Sequence, residues 1–181
     1  FGTCAITAVT AQNTLGVTMW RAVASDLVTA QIEAVAGDLG VDAVKVGMLA
    51  NAAIVEAVAA AIAELDLPHV VVDPVMIAKG GDRLLEEEAV AAIRAELFPL
   101  AHVVTPNVPE AEVLSGRTIR SVDDMRAAGE RILGLGPRVV LVKGGHLEGP
   151  ESIDVVCTAH EVFELRGPRI DTRHTHGTGC T

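Results

Sequence analysis

Tyrosine is absent from this chain, and three Phe and one Trp are its whole aromatic complement. With aromatics at 2% and hydrophobic residues at 50%, the core has to be built from Ala, Val, Ile and Leu. Such aliphatic composition suits helices packed on buried parallel strands, which read as short apolar runs. Basic residues are also scarce: 14 Lys and Arg stand against 24 Asp and Glu, a formal net charge of −10. That balance argues against a general nucleic-acid or anionic-membrane surface, but not against a small anion held by backbone amides. No run approaches the roughly 18 apolar residues of a membrane-spanning helix. Cys4, Cys157 and Cys180 are odd in number and lie at no metal-like spacing. With no visible signal peptide, they fit a reducing cytoplasm. There is no Gly-x-x-x-x-Gly-Lys-Ser/Thr phosphate loop, no internal repeat and no linker that would divide the 181 residues, so one domain is expected. The chain begins at Phe1 without an initiator Met and stops where a helix after Cys180 is due, so it is expected to be the middle of a longer chain or its ordered part.

What is present alternates between strand and helix signals. Cys4 to Val9, Ala43 to Val46, Val70 to Val72, Val103 to Thr105 and Val139 to Val142 are short apolar runs that read as strands. Between them, helical spacing predicts Ser25 to Leu39 with Ser25 as cap, Asn51 to Leu65 capped by Asn51, Leu85 to Leu97 after a Gly80-Gly81 loop, Glu110 to Leu114 closed by Gly116, and Ser121 to Leu135. Ser152 to Thr158 and Glu161 to Leu165 read as a hairpin. Repeated βα units imply a mostly parallel sheet with helices on both faces, and ligands in such sheets bind at the carboxyl ends of the strands. Polar or glycine-rich residues follow strand after strand at that edge: Gln12-Asn13, Gly47-Met48, Asp73-Pro74, Asn107 with Glu110, and Lys143-Gly144-Gly145.

Each of these supports two readings. Asn107 and Glu110 can hold Mg²⁺ directly or through its waters, or can simply start a helix as cap and first-turn acid. Asp73 is a second carboxylate for that metal or a turn residue. Lys143-Gly144-Gly145 is a phosphate-approach turn with a counter-charge or a plain tight turn. The Gln12 amide suits the edge of a heterocycle or a solvated loop, and Met48 a planar ring or the core. The densest signal is Thr175-His176-Gly177-Thr178-Gly179-Cys180-Thr181. Gly177, Thr178 and Gly179 can form a cradle of backbone N–H groups for an anion, with the Cys180 thiol at its rim. A helix following it would add dipole. His174 and His176 lack the further ligands a zinc site needs. A Cys-His hydrolase pair finds no third orienting residue.

Taken together, Ala5 to Thr14, Val46-Gly47-Met48-Leu49, Val72-Asp73-Pro74-Val75-Met76, Gly81 to Leu85, Thr105 to Ala111, Val142 to His146 and Thr175 to Thr181 resemble the hydroxymethylpyrimidine and phosphomethylpyrimidine kinases of thiamine biosynthesis, in the ribokinase-like superfamily. The resemblance spans nearly the whole chain in family order. It implies a three-layer α/β sandwich and ATP-dependent phosphorylation of an aminopyrimidine alcohol and its phosphate, with ATP and Mg²⁺. Gly177 to Cys180 would be the anion hole and Cys180 the base. Asn107 and Glu110 would match the superfamily's magnesium motif, with Asp73 nearby. Gln12 would bind the pyrimidine edge, Met48 and Val75 its ring, and Lys143 to Gly145 would lie near ATP. The family's glycine-rich N-terminal segment and its C-terminal helices are not among these residues. A pyridoxal kinase of the same superfamily and a non-catalytic small-molecule-binding fragment are the alternatives. Association into a homo-oligomer is left open.

Overall fold

The computed structural model describes residues 2–13, 16–76, 85, 87–145, 147 and 149–170. The chain first forms a two-stranded antiparallel hairpin, Ala8–Gln12 (β1) with Val17–Ala22 (β2). The reversal is held by Asn13, whose N–H donates to the Gly16 carbonyl and whose Oδ1 accepts the Gly16 N–H, both at 3.1 Å. This departs from the sequence expectation of a strand over Cys4 to Val9 with Gln12 in the loop beyond it. Ile6 instead bonds side-on to Gln31, its N–H to Oε1 at 2.9 Å and its carbonyl to Nε2 at 3.1 Å. An amide side chain thus stands in for a neighbouring strand. Gln12 lies within β1, at a register irregularity opposite Val17.

A six-stranded sheet follows, in chain order: Val44–Val46 (β3), Val70–Val72 (β4), Val103–Val104 (β5), Val139–Val142 (β6), Glu151–Thr158 (β7) and Val162–Pro168 (β8). The first four are parallel; β7 and β8 return antiparallel as the expected hairpin. Ser25–Leu39 (α1), Ala52–Glu64 (α2), Glu87–Ala92 (α3), Val108–Ser115 (α4) and Val122–Leu133 (α5) pack beside it. After α3 the backbone widens into a π turn over Ile93–Leu97 and tightens into a 3-10 turn at Phe98–Leu100, where Pro99 bars a regular helix. Asn51 caps α2 by accepting the Ile54 N–H, and Ser121 caps α5 by accepting that of Asp124, as the sequence predicts. Ser25 does not cap α1: Ala24 takes that position without a side-chain bond, and Ser25 is already helical.

Valine builds the buried face of the sheet. Val46, Val70, Val72, Val104, Val140 and Val142 meet Ile54, Val55 and Ile62 of α2, Leu97, Phe98, and Met125 and Ile132 of α5. Each such side chain contributes about 1.5–3 kcal/mol by leaving water. The alternate residues Val71, Val103 and Leu141 are only half-buried. Gly129 lets α5 approach this face; a Cβ there would meet Cys157 Sγ at 2.5 Å. Among the described residues no helix is long and apolar enough to cross a membrane.

Candidate active site

Three parallel strands end side by side, and parallel order brings the turns after them to one edge. β4 runs into Asp73-Pro74, β5 into Pro106-Asn107 and β6 into Lys143-Gly144-Gly145. One further rung joins the last two turns: Asn107 bridges Lys143, and the Lys143 N–H donates to the Pro106 carbonyl at 2.8 Å. The side chains then converge. Lys143 Nζ lies 2.9 Å from Asp73 Oδ1. Asp73 and Glu110 are each only 3% exposed. An acid that deep is uncommon unless paired or bonded.

Asn107 and Glu110 explain each other. The Glu110 N–H donates to Asn107 Oδ1 at 2.9 Å, and the Asn107 N–H donates to Glu110 Oε2 at 2.8 Å. This reciprocal capping box starts α4, with Pro109 in the first turn where its missing N–H costs nothing. The cap reading is therefore realised, and it also fixes the Glu110 carboxylate at the strand edge. Burial pushes the Glu110 carboxyl above its ordinary range; hydrogen bonds from the Asn107 and Met76 backbone and the Lys143 ammonium oppose this, while Asp73 adds to it. Asn107 Oδ1 accepts the Glu110 N–H at the helix end, whereas each buried carboxylate has a second oxygen and a negative charge to offer a cation. Among the described residues, no group of three His, Cys, Asp or Glu is placed to hold a metal. Two carboxylates fit Mg²⁺, which keeps several waters; they do not fit zinc.

The glycine turn is asymmetric. Among the described residues a Cβ on Gly145 would meet nothing within 4 Å, whereas a Cβ on Gly144 would sit 1.7 Å from the Ile153 carbonyl oxygen. The Gly144 N–H donates to Asp154 Oδ1 at 2.8 Å. Gly144 thus locks the turn against β7, while Gly145 is exposed. Asp154 was not visible as a site residue in the sequence; its one signal is a carboxylate directly before the apolar run Val155-Val156-Cys157.

Met48 follows β3, and its carbonyl accepts the Thr7 hydroxyl at 2.7 Å, which ties the foot of the β1–β2 hairpin to the sheet edge. Val75 follows β4 and is half-buried. Met48 and Val75 therefore stand at the ends of neighbouring strands, while Gln12 is exposed on the separate hairpin. Gly177, Thr178, Gly179 and Cys180, with His146 and residues 80–84, lie outside the described residues.

A mixed α/β sheet with helices packed on it, and carboxylates and a lysine gathered at its strand ends, belongs to the ribokinase-like class of phosphotransferases. The solved structures agree. Phosphomethylpyrimidine kinase from Clostridium difficile 630 superposes with a TM-score of 0.83 at 42% identity, covering 91% of this chain and 71% of that one. An ADP complex of Bacillus subtilis pyridoxal kinase superposes with a TM-score of 0.86 at 36% identity, covering 97% and 66%. The chain belongs to the phosphomethylpyrimidine kinase family, whose model it matches over residues 1–181. It is 50% identical over 182 residues to the hydroxymethylpyrimidine/phosphomethylpyrimidine kinase of Bacillus subtilis (strain 168), covering 100% of this chain and 67% of that protein. It is 46% identical over 181 residues to a thiamine biosynthesis bifunctional protein of Geobacter sulfurreducens, covering 100% of this chain and 37% of that protein. The chain spans about two thirds of the length of the single-function kinases it matches.

Proposed function

We propose that this chain carries the ATP-dependent phosphorylation of 4-amino-5-hydroxymethyl-2-methylpyrimidine and of its monophosphate in thiamine biosynthesis. The observation that carries this reading is the buried Asp73 and Glu110 with the half-buried Lys143 at the strand ends, in a chain half identical to a kinase named for both steps. Asp73 and Glu110 would hold Mg²⁺ largely through its waters, with Asn107 keeping Glu110 in position. Bound Mg²⁺ neutralises charge on the transferring phosphoryl oxygens. Lys143 and Gly145 would face ATP, and Gly144 would hold their turn. Gly177 to Cys180 would supply the amide cradle. The Cys180 thiolate would take the proton of the substrate's hydroxyl as its oxygen attacks the γ-phosphorus in line and the bond to the β,γ-bridging oxygen breaks, releasing ADP. Gln12 would read the aminopyrimidine edge, and Met48 and Val75 would pack its ring. The cytoplasm, where free thiols stay reduced, is the expected compartment.

Phosphoryl transfer needs positioning and charge more than covalent chemistry, so the same edge would serve pyridoxal as well. Identity favours the pyrimidine: 50% to the Bacillus subtilis pyrimidine kinase against 36% to the pyridoxal kinase of that species. The test is ATP consumption by the full-length protein with hydroxymethylpyrimidine, its monophosphate and pyridoxal as acceptors. Turnover of both pyrimidines above pyridoxal is expected. Faster turnover of pyridoxal would replace this reading, and no turnover of any acceptor would leave a binding protein.

A further inference from the structure

The Lys143 ammonium occupies a position that a metal ion would contest. It lies 2.9 Å from Asp73 Oδ1, and its field favours the ionised form of Glu110 while Asp73 opposes it. The ammonium is thus paired with Asp73 and lies within electrostatic reach of Glu110, two carboxylates that are almost wholly buried. Two unpaired carboxylates at such depth repel and are strongly destabilising. The root of Lys143 cannot yield. Its N–H is held by Pro106, its backbone bridges Asn107, and the next residue is pinned by Asp154 and by the Ile153 carbonyl. What can move is its flexible four-carbon stem.

We propose that Lys143 is an exchangeable counter-ion: its ammonium holds Asp73 and Glu110 in place in the metal-free protein and must give up Asp73 to a divalent cation. The inference rests on the reading of Asp73 and Glu110 as the metal-holding pair. Lys143 then weakens metal binding to the nucleotide-free protein. Any anion that draws the ammonium away strengthens metal binding, and the reciprocal holds by linkage. Loading of cation and polyphosphate is coupled by a protein group, in addition to the direct attraction between them.

The test uses the full-length protein without nucleotide and Mn²⁺ as the probe, followed by electron paramagnetic resonance. Lys143→Met is expected to bind Mn²⁺ about tenfold more tightly than the unaltered protein, within the usual range of coupling. Its melting temperature is expected to fall without metal and to recover more on adding Mn²⁺ than that of the unaltered protein. Lys143→Arg, which keeps the charge, should retain weak binding. If Lys143→Met does not fold, the unaltered protein serves: the side-chain ¹H–¹⁵N signal of Lys143 should shift on saturation with Mg²⁺. Equal Mn²⁺ affinity in the Met variant, or an unmoved Lys143 signal at saturation, overturns the exchange and leaves the metal pair standing. No divalent binding in any variant, even with a non-hydrolysable ATP analogue, overturns both.

Discussion

Gly144 shows how a residue chosen for packing can pass for one chosen for ligand approach. Both readings begin from a missing side chain, and only the position of Ile153 on β7 separates them. Gly144→Ala should cost about 3 kcal/mol or more, because its Cβ meets backbone that cannot move aside. Gly145→Ala should leave stability within about 0.5 kcal/mol. Urea unfolding of the two variants decides this, and equal losses would mean that the turn is not locked by β7. Cys180 is proposed from the sequence alone, as a thiol following the Gly177-Thr178-Gly179 run. Cys180→Ala is expected to lower kcat about 100- to 10,000-fold, the usual contribution of a general base, while calorimetry still finds nucleotide binding. Near-normal kcat would remove the thiol from the mechanism. Asp154 was not legible, because nothing in a strand sequence says which turn its carboxylate will hold.

At the scale of elements, the parts that the sequence announced are those buried on one face. β4 was visible as Val70-Val71-Val72 between Pro68 and Asp73-Pro74, and α2 through the Asn51 cap before a continuous apolar run. The β1–β2 hairpin was misread because both of its faces meet solvent. Val9 and Met19 are 62% and 56% exposed, so no alternation of apolar and polar residues marks the strands. The Asn13 and Gly16 turn residues were the signal that remained. The two sequence readings of α4, metal holder or helix start, turned out to be compatible. Asn107→Ala should cost about 1 kcal/mol of stability through the lost cap, and Asn107→Asp should recover most of it. If chemical denaturation instead finds Asn107→Asp as unstable as the Ala variant, the capping box is not what anchors α4.

For the molecule as a whole, the two ends of the sheet differ in chemistry. The carboxyl ends of the strands hold the acidic cluster and Lys143. The opposite end holds His69 and His102, whose ring centres are 5.5 Å apart, and His102 Nδ1 accepts the Val70 N–H at 3.3 Å. That bond requires a neutral ring at Nδ1. Partial burial first, then the Arg138 guanidinium and His69, hold the His102 imidazole below its ordinary range. Its pKa is therefore lower folded than unfolded, so the unfolded chain binds the proton better. Its contribution is present above about pH 6.5 and is lost as pH falls below that value. His102→Asn keeps an acceptor for Val70 and cannot titrate. It should lose less melting temperature between neutral and mildly acidic pH than the unaltered protein; parallel curves would exonerate His102.

The six strands from β3 to β8 stand in space in the order in which they occur in the chain. Each strand thus finds its earlier neighbour already made, and no pairing within that sheet has to wait for a segment synthesised two strands later. Loop-closure entropy is met in small instalments, which keeps the contact order low for a largely parallel sheet. On the ribosome, each strand from β4 to β8 can add to the one before it as the polypeptide emerges. The cluster drawn from the ends of β4, β5 and β6 would then be completed only when Lys143 arrives beside the carboxylates laid down before it.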